Sequence, residues 1–448
     1  MTQVLSPVSQ GLIPSSTAPE ARGTGTAARS WVVAATVIGT TIEWYDFLLY
    51  GTAAALVFDK IIFPSFDPVA GRIAAFATFA IGLFARPFGG IVFGHFGDRL
   101  GRKATLMVSL LLMGIPTMLI GLIPTYESIG LWSAAILVVL RLLQGLAVGG
   151  EWGGAILMAV EHAPNSQRAL FGALPQVGAP AGVLISTLTF SLVSALPEAQ
   201  FFAWGWRLPF LLSIILVAVG FVVRWKVAES PAFMKVLHTG STIRVPGVQV
   251  VERHWRTLVL AVGAKLGEVT LFYLVTVFLL SYATTRLGMP RQQVLNALMI
   301  ASTLACVTIP LFGVLGNRFG ERRVFALGGL FLALFAIPMF WLIDSGNPIL
   351  FLLAVIGALS IAHASMYGAE PSLFAAQFPA ELRYSGVSIG FQVPAAIGGG
   401  LAPIVAILLL EYFMTALPIG LYLVVLALLA VLCATAMRQV DHRAIDIL

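Results

Sequence analysis

The chain has 448 residues, of which 59% are apolar or aromatic and only 10% are Asp, Glu, Lys or Arg. Soluble domains carry about 25% charged residues, so an ordinary soluble enzyme is excluded and the chain is read as an integral membrane protein. The net charge of +6 is spread between apolar runs and gives no reason to expect a nucleic-acid partner.

Residues 1–28 are rich in Ser, Thr, Pro, Gly and Ala and lack an apolar core, so they are expected to form a disordered tail rather than a signal peptide. About twelve apolar runs follow, near 31–56, 73–95, 104–124, 131–160, 169–196, 206–225, 257–283, 292–315, 324–343, 348–374, 386–410 and 417–437. Each approaches or exceeds the about 20 residues that a helix needs to cross a bilayer. The expected fold is all-α: twelve transmembrane helices in two six-helix bundles related by a pseudo-two-fold axis. The expected divisions are an N-terminal bundle at 29–225, a cytoplasmic linker at 226–256, a C-terminal bundle at 257–438 and a cytoplasmic tail at 439–448.

Lys and Arg set the orientation. With the amino terminus inside, eighteen of the 26 basic residues fall in inner segments and five in outer ones, while Arg86, Arg141 and Lys265 lie within spans. That asymmetry puts both termini in the cytoplasm of a multi-pass inner-membrane protein. Cys306 and Cys433 sit in apolar runs without metal-ligand spacing and are expected to be buried thiols. No metal cluster, nucleophile elbow or nucleotide loop is visible, so neither a cofactor nor enzymatic chemistry is expected.

One short pattern occurs twice. Gly94, Gly97, Asp98, Arg99 and Gly101 reappear at the same spacing as Gly313, Gly316, Asn317, Arg318 and Gly320, in each case read as a loop between two apolar runs. A second echo places Arg168 four residues after Pro164 and Arg383 four after Pro379. The residues Gly94, Gly97, Asp98, Arg99, Gly101, Arg102, Arg168, Arg318 and Arg383 are expected to act as gating latches between two rocking halves. Asn317 in place of Asp98, and Glu321 in place of Arg102, suggest a weaker second latch.

Ionisable groups at membrane depth carry the chemistry, since each costs roughly 2.5–3.5 kcal/mol to insert. Glu43 lies about twelve residues into the first span, roughly 18 Å along a helix, and Asp46 and Tyr50 continue its stripe. Two carboxyls so close in a low dielectric compete for one charge, as a proton carrier requires. In the fourth span Arg141, with Gln144 at i+3, must face an anion. Arg141 is expected to pair with Asp46 when the site is empty and to grip a substrate carboxylate when it is loaded. Glu151, flanked by Gly149-Gly150 and Gly153-Gly154, is read as a proton or gating group. In the second half Lys265 and Glu268 are i, i+3 neighbours in the seventh span, with Tyr273 above them. His363, Tyr367 and Glu370 form one stripe on the tenth span, and Gln392 is a polar candidate on the eleventh.

The Gly94–Lys103 motif, together with Glu43-Trp-Tyr-Asp-Phe47, Arg86-Pro-Phe-Gly-Gly90, Arg141-Leu-Leu-Gln-Gly145, Gly149-Gly-Glu-Trp-Gly-Gly154, Trp204-Gly-Trp-Arg-Leu-Pro-Phe210 and Glu229-Ser-Pro-Ala-Phe233, resembles the major facilitator superfamily over nearly the full length. The closest resemblance is to its metabolite:proton symporter branch, which implies transport of organic acids such as shikimate, or of proline and betaine. The expected function is proton-coupled symport of a small organic anion by alternating access. Substrate contacts are expected from Arg141, Gln144, Tyr45, Lys265, Tyr273, Tyr367 and Gln392. The proton groups are expected among Glu43, Asp46, Glu151, Glu268, His363 and Glu370, with the proton as coupling ion. The bilayer and a small anion are the expected partners, and one chain supplies both halves, so a monomer is expected to function. A zwitterionic-osmolyte symporter is the alternative, set back because this chain ends soon after Arg438, where osmosensing relatives carry a coiled-coil tail. A drug/proton antiporter is a further one, because Gly178-Ala-Pro-Ala-Gly182 partly matches the Gly-Pro pattern of its fifth span.

Overall fold

The computed structural model describes residues 26–100, 102–149, 167–226 and 246–438. Among them every regular element is helical. The first six spans are α1 (Thr26–Leu56), α2 (Pro68–Leu100), α3 (Arg102–Ile120), α4 (Trp132–Val148), α5 (Arg168–Ser194) and α6 (Leu208–Lys226). The second six begin with α7 (Pro246–Tyr273, Leu274–Phe278 and Leu279–Thr285), α8 (Arg291–Phe319) and α9 (Glu321–Asp344). They end with α10 (Pro348–Ile356, Gly357–His363 and Ala364–Ala375), α11 (Ala380–Pro394, Ala395–Gly400 and Leu401–Phe413) and α12 (Leu417–Ala436). Nine of the twelve have the length and apolarity of a full crossing among the described residues, and α3 and α4 contribute the shorter pieces Met107–Ile120 and Trp132–Val148. Large apolar side chains such as Val307 and Leu334 are exposed on the outside, as a lipid-facing surface requires.

The packing repeats between halves. Within the N bundle α1 packs on α5, α2 on α4 and α3 on α6; within the C bundle α7 packs on α11, α8 on α10 and α9 on α12. Between bundles α5 runs along α8 and α2 along α11, the two seams that a two-fold axis would exchange. Small residues set the closest approaches. A Cβ on Gly145 would overlap the Gly82 carbonyl, and one on Gly149 would overlap that of Arg86, so α2 and α4 cross nearly backbone to backbone.

Three expectations need correction. The repeated glycine motif is not a loop: α2 continues to Leu100 and α8 to Phe319, so the motif forms the last turns of a helix. In the second copy the break falls at Gly320, whose φ of 92° and ψ of 132° a residue with a Cβ would hold only under strain. The stretch 226–256 is not wholly linker, since helix begins at Pro246 and bends at His254 (φ −125°, ψ 24°), leaving a short surface segment ahead of the span. Likewise α1 already begins at Thr26, inside the stretch read as tail. The surroundings of Gly94 and Gly97, the side chains of Asp98, Arg99 and Arg102, and the whole of Gly101 and Glu151 lie outside what is described. So do the linker from 227 to 245 and the ends 1–25 and 439–448.

Three wide π-helical turns interrupt the C bundle, at Leu274–Phe278 in α7, Gly357–His363 in α10 and Ala395–Gly400 in α11. Each lies at mid-helix, and such turns commonly mark functional positions because they re-aim side chains out of α register.

Candidate functional site

The three widened helices converge on a buried ionic network. Lys265 of α7 reaches Glu268 Oε2 at 2.8 Å and Glu370 Oε2 of α10 at 2.7 Å. His363 Nε2 of α10 lies 2.8 Å from Glu268 Oε1. All four residues are at most 3% exposed. One lysine against two glutamates leaves the quartet at net −1 when His363 is neutral. Glu268 therefore has both oxygens engaged, whereas Glu370 Oε1 is buried with no partner among the described residues. Aromatic rings enclose the cluster: the Lys265 ammonium lies 4.1 Å from the Phe391 ring centroid and 5.1 Å from that of Tyr367. The His363 ring packs between Phe272 and Tyr367, each at 4.8 Å.

A small cavity opens beside this network, lined by Lys265, Glu268, His363, Phe272, Tyr273, Tyr367 and Phe391 of the C bundle, and by Trp44 and Ala179 of the N bundle. It admits about one water molecule. The hydroxyls of Tyr273 and Tyr367 are buried and lack partners among the described residues. Buried polar groups are normally hydrogen-bonded, so two free hydroxyls on residues lining one small void mark a place built to hold a polar guest.

Arg141 is placed differently from its expected role. It is fully buried, with Cζ 4.2 Å from the Phe47 ring centroid, 4.0 Å from that of Tyr50 and 5.1 Å from that of Phe79. Nη1 donates to Gln144 Oε1 at 3.0 Å, and Gln144 Nε2 donates to Thr117 at 2.7 Å. No Arg141–Asp46 ion pair occurs among the described residues; both Asp46 oxygens, and Arg141 Nε and Nη2, are buried without partners there. The aromatic faces take the place of the expected acid, as cation–π contacts can for a desolvated guanidinium. Arg86 shares Phe47, with Cζ 4.0 Å from its ring centroid. Glu43 is buried and engaged. The Phe47 and Phe79 rings of this cationic box pack on Tyr273, which lines the cavity, with centroids 4.9–6.1 Å apart, and Arg86 Cζ lies 5.8 Å from the ring centroid of cavity-lining Trp44.

Other expected contacts are also turned away from the cavity. The Tyr45 hydroxyl donates to the Pro209 carbonyl of α6 at 2.8 Å, and Gln392 Nε2 donates to the Gly149 carbonyl at 3.5 Å. Phe391, one residue before Gln392 and so about 100° round the helix, takes the lining position. Trp44, Ala179 and Phe391 were not among the expected site residues. Trp44 had a signal, since it lies inside the Glu43–Phe47 motif; Ala179 and Phe391 had none beyond their neighbours.

The bundles touch at both ends of the cavity. On the face carrying the termini, Asn317 Oδ1 accepts from the Ala169 backbone N–H at the start of α5 at 2.9 Å; deeper, beside the cavity, Gln176 Nε2 donates to the Tyr367 carbonyl at 3.4 Å. Arg168 heads the same helix and its Nε is buried without an acceptor among the described residues. Arg383 donates to Phe378 O at 3.4 Å, and Arg318 is exposed beside the Phe319 ring. On the opposite face Arg72 meets Glu411 at 3.1 Å, and Gln292 donates to Ser191.

Two family models match the chain: "Sugar (and other) transporter" over residues 31–242 and "Major Facilitator Superfamily" over residues 268–445. A shikimate transporter of Escherichia coli (strain K12) is 43% identical, over 84% of this chain and 86% of its own. An inner membrane metabolite transport protein of the same organism is 42% identical, over 93% and 96%. Among solved structures, a D-xylose-proton symporter superposes with a TM-score of 0.69 at 18% identity, covering 92% of this chain and 98% of its own.

Proposed function

The chain belongs to the major facilitator superfamily, within its metabolite:proton symporter branch, and on that premise we propose that it takes up a small organic acid together with a proton by alternating access. The observation that carries this reading is the Lys265–Glu268–Glu370–His363 quartet, three of whose members, Lys265, Glu268 and His363, line a cavity between two bundles. Lys265 is the cation that meets the substrate carboxylate. Glu370 is the acid that takes the proton, because it alone of the two glutamates has a free oxygen to receive one.

Charge counting supplies the coupling. The empty quartet carries −1; an anion entering alone would leave −2 buried, which the low dielectric penalises heavily. A proton on Glu370 cancels its hold on Lys265, and the loaded site returns to −1. Anion and proton therefore load together. The unpartnered Tyr273 and Tyr367 hydroxyls and the rings of Phe272 and Phe391 suit a hydroxylated ring acid such as shikimate, in keeping with the 43% identity to a shikimate transporter. Arg141 would become a second contact for carboxylate, and Asp46 a second acid, once Phe47, Phe79 and Tyr273 move aside. The Lys and Arg asymmetry supports placing both termini in the cytoplasm and the protein in the inner membrane, and one chain supplies both bundles, which favours a functional monomer.

Labelled shikimate in energised membrane vesicles tests the proposal. Accumulation that disappears when a protonophore collapses the gradient is expected. Uptake of equal extent without the gradient would overturn the coupling.

A further inference from the structure

The N bundle gives the cavity two lining residues, Trp44 from α1 and Ala179 from α5, while the C bundle supplies the charge and the hydroxyls. Trp44 is 5% exposed, and its Nε1 has no acceptor among the described residues. Its ring meets the Phe272 ring edge-on at 5.4 Å, and Phe272 stacks on His363 at 4.8 Å, so the indole closes the cavity on its N-bundle side.

The fold spends two glycines to hold it there. A Cβ on Gly182 would lie 2.5 Å from Trp44 Cβ and 2.7 Å from the Tyr45 nitrogen, and one on Gly178 would lie 2.6 Å from Thr40 Cβ. The Gly178-Ala-Pro-Ala-Gly182 segment is thus a seat that lets α1 lie against α5. Between the two glycines, Ala179 presents a small side chain to the cavity.

We infer that Trp44 is the N bundle's substrate-binding residue: its indole face carries the substrate's ring and its Nε1–H donates to a substrate hydroxyl. This rests on the organic-acid reading and narrows it to a compact ring acid with a hydroxyl on the side away from its carboxylate. An indole combines a large apolar face with one polar handle that seeks an acceptor when buried. A site built to pair a hydroxyl rejects the analogue lacking it far more strongly than an apolar wall rejects a methylene. The two walls belong to different bundles, so a substrate held by Lys265 at one end and Trp44 at the other ties the bundles together, and binding itself favours the closed form.

The test compares Trp44→Phe with the unsubstituted protein in vesicle uptake of shikimic acid and of cyclohex-1-enecarboxylic acid, the same ring without hydroxyls. Trp44→Phe keeps a ring and removes the donor. The KM for shikimic acid is expected to rise about five- to ten-fold, as for one lost hydrogen bond, while that for the hydroxyl-free acid stays unchanged. Equal shifts for both acids, or none for either, would overturn the inference. Trp44→Ala should weaken both acids, and an alanine variant with unchanged KM for both would also overturn it. Uptake by the unsubstituted protein that ignores the proton gradient would sink the symport reading but leave the ratio of KM values legible. Failure of the unsubstituted protein to take up either acid would overturn both.

Discussion

A lysine wedged between two glutamates in the middle of a membrane protein is held by mutual need. Removing Lys265 leaves the Glu268 and Glu370 carboxylates facing each other with almost no solvent, and deleting one partner of such a buried set typically costs about 3–5 kcal/mol. Lys265→Gln is therefore expected to abolish uptake and to lower the thermal unfolding midpoint. Adding Glu370→Gln should restore much of the midpoint without restoring uptake, which thermal unfolding of the two purified variants would check. Recovery of transport in the double variant would show that Lys265 is there for folding alone. Part of this quartet was legible from spacing, since Lys265 and Glu268 stand at i, i+3 and His363, Tyr367 and Glu370 share a stripe. That α7 and α10 bring the two groups together was not, because a helical pattern fixes which face a residue takes and not which helix it meets. Arg141 shows the same limit. Its need for a partner was readable, but Phe47, Tyr50 and Phe79 meet that need where a carboxylate was expected.

Among the elements, hydrophobic run length located the helices well, because lipid forces every backbone polar group into intrahelical bonds. It located their ends poorly. The repeated glycine motif looked like a loop for its glycines and charges, yet helical hydrogen bonding continues through Arg318 to Phe319 and stops only where Gly320 takes a positive φ. The widened turns in α7, α10 and α11 left no trace in the apolar pattern either. At the end of α8, Asn317 stands where the first copy of the motif has Asp98, and its Oδ1 caps α5 of the other bundle through the Ala169 N–H. A carboxylate there would add charge to the same hydrogen bond at a helix N-terminus, typically worth 0.3–1 kcal/mol. Asn317→Asp should thus hold the terminal face shut and lower the maximum uptake rate about two- to five-fold, as initial-rate measurements would show. A faster variant would mean that this contact does not restrain opening.

Taken whole, the molecule is caught with its bundles in contact at both ends. Asn317 bridges one face, Arg72 and Gln292 bridge the other, and the space between them admits about one water. Such a cavity cannot hold a ring acid, so the Trp44 and Ala179 wall must part from the Lys265 wall before loading. The Arg72–Glu411 pair is partly exposed and worth at most about 1 kcal/mol, a contact that yields readily on opening. What drives accumulation then depends on whether Glu370 gives up its proton on each cycle. Glu370→Gln mimics the protonated acid permanently. It should exchange labelled for unlabelled shikimate across the membrane at a rate near that of the unsubstituted protein, yet fail to concentrate it when a proton gradient is imposed. A Glu370→Gln protein that still accumulates shikimate against its gradient would contradict the assignment of proton and anion to this one quartet.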